Sequence, residues 1–224
     1  MKNIKDTSKM NIPDQKQAVL VWDLPVRVFH WLLVISFAGA WLTAEGESQQ
    51  MLHYAFGYTA CALVLFRIIW GLIGTRYARF SEFTRGPEET GRHIKALLTG
   101  NKDFGLGHNP VGALVMISLM VLILLIGLTG YGIIKEFYGE WVEGAHETIA
   151  NIAIAVVVIH IAAAIIMSFM QKENLVRSML TGKKQGLPEQ AIPSAQYLTG
   201  LFLLLAWAYC FYMVYSGAWP SLTQ

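Results

Sequence analysis

Long apolar runs alternate with polar or basic segments along most of the chain. Five runs are long enough to cross a bilayer, which takes about 20 helical residues. They lie near residues 24–44, 51–74, 111–134, 146–170 and 195–217. The first run opens with the segment WDLPVR, in which Asp23 suits a helix N-cap and Pro25 suits the first helical turn. The pattern predicts an all-α fold, a transmembrane helical bundle with five spans.

The basic residues are distributed unevenly among the segments that connect these runs. Sixteen of the 17 lysines and arginines lie in three places: before or at the start of the first run, from the end of the second run to the third, and between the fourth and fifth runs. Lys135, between the third and fourth runs, is the remaining one. Cytoplasmic segments of membrane proteins carry an excess of Lys and Arg. We therefore expect a multi-pass protein of the bacterial inner membrane, with its N-terminus in the cytoplasm and its C-terminus outside.

Two basic connections contain similar short segments, IKALLTGNK and VRSMLTGKK. Each places apolar side chains at helical spacing among basic ones and ends near a glycine, Gly100 or Gly182. This pattern is typical of short amphipathic helices on a membrane surface. A docking surface for a soluble partner is the alternative interpretation.

The composition supports a membrane protein and argues against several other classes. Of the 224 residues, 54% are hydrophobic and only 14% are charged, whereas soluble domains carry about a quarter charged residues. The first 18 residues are polar, so the first span is expected to be an uncleaved anchor rather than a cleaved signal. Cys61 and Cys210 stand alone in apolar runs, and no C-x-x-C pattern suggests a thiolate metal site or covalently attached haem. A formal charge of +2 gives no indication of nucleic acid, and no nucleic-acid partner is expected.

Four histidines fall at two depths of the predicted bundle. His53 and His146 lie near the outer ends of their spans, and we call this pair the outer layer. His30 and His160 lie deeper or towards the cytoplasmic end, and we call this pair the inner layer. Fourteen residues separate His146 from His160, which corresponds to about 21 Å along one face of a helix. Two layers, each with two imidazoles from different helices, are what two bis-histidine haems require.

Other interpretations of these histidines remain open at this level. A single histidine near a membrane interface is more often a snorkelling or hydrogen-bonding residue than a ligand. A zinc or copper site would need ligands that converge on one point, and a proton relay would not need the 14-residue spacing. His93 and His108 lie in the basic connection, at neither depth, and are interpreted as surface or helix-start residues.

Residues with small side chains lie near the histidines, as a flat macrocycle between helices would require. Ala150, Ala153 and Val157 lie between His146 and His160, and Gly57 follows His53 by one turn. This composition is compatible with a haem on that face but does not by itself identify one.

Two arginines lie near the predicted inner layer. Arg67 follows His53 by 14 residues, and Arg27 precedes His30 by about one turn. Because guanidinium groups pair well with carboxylates, both could bind the propionates of an inner haem. The alternative is that they snorkel to lipid phosphates.

Several of these segments together resemble a known family. The stretches VWDLPVRVFHW, LHYAFGY, LFRIIWGLIGTRYARF, GHNPVGAL and HETIANIAIAVVVIH resemble the bacterial two-haem cytochrome b561 family, which includes the cytochrome b subunits of nickel-iron hydrogenases. The resemblance covers about residues 19–182. It leaves residues 1–18 as a polar cytoplasmic tail and residues 183–224 as a linker with a fifth transmembrane helix.

The resemblance implies a four-helix core with two b haems. Its axial ligands would be His30, His53, His146 and His160, the same set that depth suggests. The implied function is transmembrane electron transfer between the quinone pool and a redox partner such as a cytochrome c, a hydrogenase or a dehydrogenase. Glu147 is a candidate for proton transfer near a haem edge, although an acidic residue in a first helical turn also favours the helix dipole. The fifth span could serve partner docking, oligomerisation or anchoring.

Three alternatives to this function stay open. The chain could be a self-sufficient quinone-linked oxidoreductase that acts on a small species such as superoxide, and in this it would resemble some members of the family. It could be mainly a membrane-anchor subunit that holds a redox protein, with little activity alone. It could also be a helical membrane protein without haem. We expect an electron-transfer subunit of a membrane oxidoreductase.

Overall fold

The chain folds into a helical bundle with a small two-stranded sheet at one end. The computed structural model describes residues 16–82, 106–107, 110–137, 139–219 and 222. The elements in chain order are β1 (Gln17–Leu20), α1 (Leu24–Leu42), α2 (Gln50–Ile73), α3 (Pro110–Ile134), α4 (Trp141–Gln171), α5 (Leu175–Thr181), β2 (Lys183–Gly186) and α6 (Tyr197–Tyr215). Short 3-10 turns join several of them.

The prediction of five transmembrane helices is confirmed. Within the described residues, α1, α2, α3, α4 and α6 are long and apolar enough to cross a membrane. The caps explain where helices begin: the Asp23 carboxylate accepts from the backbone N–H of Val26, and proline follows in the first turn of α1. Helix α4 begins at Trp141, five residues before the predicted span, and Glu143 in its first turn favours the helix dipole.

The five long helices form two groups. The first group contains α1, α2 and α6, which all pack against one another; the second contains α3 and α4, which pack along each other. The groups meet mainly where α2 contacts α3. In the described helices, α4 makes no extensive contact with the backbones of α1 or α2. Helix α4 therefore faces the first group without close backbone packing along its length.

A hydrogen-bond chain ties the three helices of the first group together. The Trp207 indole N–H donates to Ser36 Oγ at 2.9 Å, and Ser36 Oγ lies 3.3 Å from Thr59 Oγ1. Thr59 Oγ1 donates in turn to the carbonyl of Ala55. Ser36 and Thr59 are almost fully buried. Because each of these two hydroxyls both donates and accepts, the Trp207 indole, Ser36 and Thr59 all have hydrogen-bond partners.

A small folded region, which we call the inner cap, covers the end of the first group of helices that lies nearest His30. It contains strands β1 and β2. Strands β1 and β2 pair antiparallel, with Gln17 opposite Gly186 and Leu20 opposite Lys183. Their apolar side chains form a small core with residues from other segments: Val19, Val21, Trp22, Tyr77 and Ile192. The sequence did not predict this sheet, since each strand is only four residues long and β2 carries no apolar side chain.

The segment VRSMLTGKK forms a helix and then departs from the prediction. Helix α5 ends at Gly182, which adopts φ +79°, and the two lysines that follow begin strand β2. Lys184 is 5% exposed, donates to the carbonyl of Leu106 and pairs with Glu173 at 3.6 Å. Burial lowers the pKa of the Lys184 amine, and the carboxylate of Glu173 opposes that shift. The other segment, IKALLTGNK, lies outside the described residues.

The N-terminal end of α1 is fastened to α2 by one carboxylate. Asp23 is 1% exposed. Besides capping α1, it accepts from the indole of Trp70 at 3.0 Å and from the hydroxyl of Thr75 at 2.6 Å. A buried carboxylate is costly unless it is hydrogen-bonded. Here three donors from two elements satisfy it, so Asp23 fixes where α1 begins relative to the end of α2.

Candidate functional site

The two predicted histidines of the outer layer lie close together, with one ring edge-on to the other. His53 lies in the first turn of α2 and His146 in the second turn of α4. Their ring centres are 6.2 Å apart, with 67° between the ring planes. Two imidazoles that bind one metal ion from opposite sides, each through a bond of about 2 Å, have ring centres about 6 Å apart. The observed spacing is therefore that of two ligands of one metal ion.

Both imidazoles of the outer layer are held by their Nδ1 atoms. His53 Nδ1 lies 2.8 Å from the carbonyl oxygen of Ala40, and His146 Nδ1 lies 3.0 Å from that of Ile126. A carbonyl can only accept, so in each ring Nδ1 carries the hydrogen. The lone pair is then on Nε2, which is the arrangement of a histidine that binds a metal ion through Nε2.

The backbone of α3 comes unusually close to His146. A Cβ atom at Gly130 would lie 3.1 Å from Cε1 of His146, so glycine leaves room for the ring. Thr129 adds a further contact, with its Oγ1 3.1 Å from His146 Nδ1. The Thr129 hydroxyl donates to the carbonyls of Leu125 and Ile126, so its oxygen accepts from the ring.

The inner layer contains the other two predicted histidines, His30 on α1 and His160 on α4. They lie near enough to interact electrostatically. Nδ1 of His30 is buried and has no hydrogen-bond partner. The ring of His30 also meets Trp31 edge-on, with centres 5.1 Å apart. The inner layer thus brings two imidazoles within electrostatic range of each other, and His30 lacks at Nδ1 the support that the outer imidazoles have.

Both predicted arginines lie at the inner end of the bundle. Arg67 is 1% exposed, its Nη2 is 3.9 Å from Met116 Sδ, and its guanidinium lies 4.9 Å from the centre of the Phe80 ring. Nη1 of Arg67 and Nε of Arg27 are buried without a partner. With His30 Nδ1, these are the three buried side-chain nitrogens without a partner in the described part of the chain. The guanidinium groups of Arg27 and Arg67 could therefore each donate to the carboxylates of a bound group.

The residues with small side chains differ in how much space surrounds them. Gly57 has no atom within 4 Å of an added Cβ, so the side of α2 below His53 is open. Ala153 is fully buried midway between His146 and His160. Ala150 and Val157 are half-buried. Glu147, the candidate for proton transfer, is exposed next to His146.

These observations fit two haems between α4 and the first group of helices. The rings of His53 and His146 meet across this interface, and His30 and His160 lie within electrostatic range of each other. Among the described residues, no three His, Cys, Asp or Glu side chains converge as a compact metal site would require. His93 and His108 lie outside the described residues. Paired imidazoles with open space beside them and unpartnered cationic groups at one end suit a flat cofactor with carboxylates.

Sequence reasoning missed the groups that hold the outer imidazoles. Thr129 and Gly130 lie in the segment IGLTG of α3, and Ala40 contributes through its carbonyl alone. The segment did carry a signal, since a hydroxyl between two glycines interrupts an otherwise aliphatic span, and polar residues within membrane spans usually mark function. A backbone carbonyl carries no such signal, because every residue has one.

Comparison with known proteins identifies a family and several relatives by sequence. The family model described as prokaryotic cytochrome b561 matches residues 21–182. A probable Ni/Fe-hydrogenase B-type cytochrome subunit of Rhizobium leguminosarum bv. viciae is 22% identical over 217 residues, which cover 76% of this chain and 90% of that protein. A probable Ni/Fe-hydrogenase 1 B-type cytochrome subunit of Escherichia coli K12 is 23% identical over 142 residues, 52% of this chain and 60% of that protein. No solved structure matches the chain.

Proposed function

Because this chain belongs to the prokaryotic cytochrome b561 family, we propose that it carries electrons across the membrane through two bis-histidine b haems. Its place in the family makes it a multi-pass membrane cytochrome of electron transport. The proposal adds the number of haems, their ligands and the partners at each end. The opposed imidazoles of His53 and His146, with ring centres 6.2 Å apart, are the observation that carries it.

The ligands proposed for the outer haem are His53 and His146. Each ring is oriented by a hydrogen bond from its Nδ1–H to a backbone carbonyl. Pre-orientation of this kind fixes the tautomer and directs Nε2 towards the metal. The open side of α2 at Gly57 provides room for the edge of a macrocycle.

The ligands proposed for the inner haem are His30 and His160, with Arg27 and Arg67 binding its propionates. Arg67 is 1% exposed, which favours a buried carboxylate partner over snorkelling to lipid. Its unpartnered Nη1 has hydrogen-bonding capacity left for that purpose. When bound, haem iron supplies one-electron chemistry, while the protein sets its potential through ligands, burial and nearby charge. Two such centres about four helical turns apart would divide the thickness of the membrane into short electron-transfer steps.

The proposed orientation places the inner cap and the N-terminus in the cytoplasm, across a bacterial inner membrane. The excess of Lys and Arg on that side supports it. The quinone pool is the proposed redox substrate, and Glu147 is the proposed proton carrier at the outer end. A hydrogenase is the proposed protein partner, because relatives are named as hydrogenase cytochrome subunits; a cytochrome c or a dehydrogenase would take the same place. Those names also favour a second role, as a membrane anchor for the partner.

The proposal is tested by optical spectroscopy of the purified chain. A reduced-minus-oxidised spectrum should show low-spin b haem, and a pyridine haemochrome assay should give two haems per chain. His160→Ala should remove one haem and leave the other. His93→Ala, which changes a histidine of neither layer, is the matched control and should retain both. A chain without low-spin b haem, or with one haem per chain, would contradict the proposal.

A further inference from the structure

The two histidine layers differ in the support of their imidazoles. In the outer layer, each Nδ1 has a carbonyl acceptor within 3.0 Å, and His146 has Thr129 Oγ1 as a second acceptor at 3.1 Å. In the inner layer, Nδ1 of His30 is buried with no acceptor at all. The same ligand type therefore stands in two different hydrogen-bonding environments.

This difference has a direct consequence for the electronic properties of a bound metal. A hydrogen bond donated by the non-ligating nitrogen makes an imidazole a stronger electron donor. A stronger donor stabilises the oxidised iron and lowers the reduction potential. A nearby positive charge has the opposite effect, because it favours the added electron, and the buried guanidinium of Arg67 lies at the inner end.

We propose that the outer haem is the lower-potential centre of the two, and that Thr129 is a positioning residue that helps to make it so. The inference rests on the proposed function, since it concerns the haems that His53, His146, His30 and His160 would bind. It adds a residue outside the ligand set and an order of the two potentials.

Thr129 is placed to act on His146 alone. Its hydroxyl hydrogen is taken up by the carbonyls of Leu125 and Ile126, at 2.9 and 3.0 Å, so the oxygen presents a lone pair to the ring. Gly130 admits the imidazole against the α3 backbone, because any Cβ there would press on Cε1. The Nδ1–H of His146 is thus shared between two acceptors on one turn of α3. Loss of the hydroxyl leaves the ring bound by the Ile126 carbonyl only.

The test is a potentiometric titration of the full chain with its haems, followed by optical spectroscopy. Thr129→Val removes the acceptor at nearly constant volume, and Thr129→Ser retains it. Thr148→Val is the matched control, since Thr148 is an exposed threonine whose hydroxyl donates only to its own helix at Gly144. We expect valine at 129 to raise the lower of the two midpoint potentials and to leave the higher one unchanged. Serine at 129 and valine at 148 should leave both midpoints at their wild-type values.

A second measurement assigns the potentials to the layers. His160→Ala, which is expected to keep only the outer haem, should titrate at the lower midpoint of the wild-type protein. If its remaining haem titrates at the higher midpoint, the proposed order is wrong. The role of Thr129 is overturned if both midpoints move together in Thr129→Val, if neither moves, or if serine acts as valine does. Each of these results requires two haems in the wild-type chain and leaves the proposed function standing; a wild-type chain with fewer than two haems would instead contradict the proposed function.

Discussion

The two groups of helices are held together by different means. In the first group, α1, α2 and α6 share buried polar contacts, such as the chain from Trp207 through Ser36 to Thr59. In the second group, α3 is almost purely aliphatic, and its described polar contacts with α4 are those of His146 with Thr129 and the Ile126 carbonyl. Only Val142 and Ala153 are buried among the 31 residues of α4, all of which are described. Helix α2, by contrast, buries seven of its 24 residues, including Arg67.

This contrast indicates that the first group is specified by its own side chains and the second depends on what lies between the groups. Lipid tails are as apolar as leucine, so apolar contact alone drives little association of helices in a membrane. Helix α4 has few polar contacts and little packing against α1 or α2. Its histidines are its main connection to the first group, so haem bound at the proposed ligands would be a structural element as well as a redox centre.

The largest expected effect comes from withholding haem. In protein produced without haem, we expect α4 to lose protection against hydrogen exchange, while α1, α2 and α6 keep most of theirs. A ligand present at a thousand times its Kd contributes about 4 kcal/mol, which is about a thousandfold in the exchange of segments that only the ligand holds. Hydrogen exchange of both forms in detergent, read peptide by peptide by mass spectrometry, measures the difference. Equal loss of protection in both groups would contradict the contrast.

The next largest effect is expected at the inner cap, where Asp23 joins α1 to α2. Asp23→Ala removes a helix cap and leaves the Trp70 indole and the Thr75 hydroxyl without their acceptor. We expect a loss of about 3 kcal/mol in the free energy of unfolding, since both a cap and buried hydrogen bonds are lost. Thermal unfolding in detergent, followed by circular dichroism, measures it. Asp23→Asn keeps one acceptor oxygen, and its free energy of unfolding should lie between those of the wild type and Asp23→Ala. An alanine variant as stable as the wild type would show that the carboxylate does not fasten the helices.

A smaller effect is expected from the backbone of the inner cap. Gly182 has φ +79°, and a Cβ there would lie 2.7 Å from the carbonyl oxygen of Trp22. Gly182→Ala should cost about 1–3 kcal/mol because it adds strain in a left-handed conformation. Gly144→Ala is the control: no atom lies within 4 Å of its added Cβ, and alanine favours a helix. The same thermal unfolding measurement compares the two, and equal stability of both variants would argue against a tight cap.

Periodicity and composition were sufficient to predict the spans and the approach of His53 to His146. Apolar runs report helices directly in a membrane, where backbone groups must be satisfied within the segment. The interval between His146 and His160 then set two depths on one face, and the structure brings His53 to His146 as depth suggested. These are properties of single helices, which a sequence carries without knowledge of the partners.

The features that escaped prediction depend on contacts between segments distant in sequence. Strands β1 and β2 are only four residues long, and they form because residues 17–20 meet residues 183–186 at the end of the bundle. Lys184 looked like a surface lysine but is buried by its pairing with Glu173 and by the carbonyl of Leu106. The acceptors for His53 and His146 are backbone carbonyls, which cannot be predicted from residue type because every residue has one.

The smallest expected effect concerns the polar chain that joins α6 to the first group. Trp207→Phe removes the indole N–H that donates to Ser36 Oγ, while the ring still packs near Phe211. Single side-chain hydrogen bonds between membrane helices are worth about 0.6 kcal/mol on average, because the separated helices also find partners. We expect a loss of about that size in Trp207→Phe and a similar one in Ser36→Ala. In the double variant the losses should not add, since both remove the same bond. Fully additive losses would mean that α6 is held by apolar packing alone, and the first group would then resemble the second more closely than its hydrogen bonds suggest.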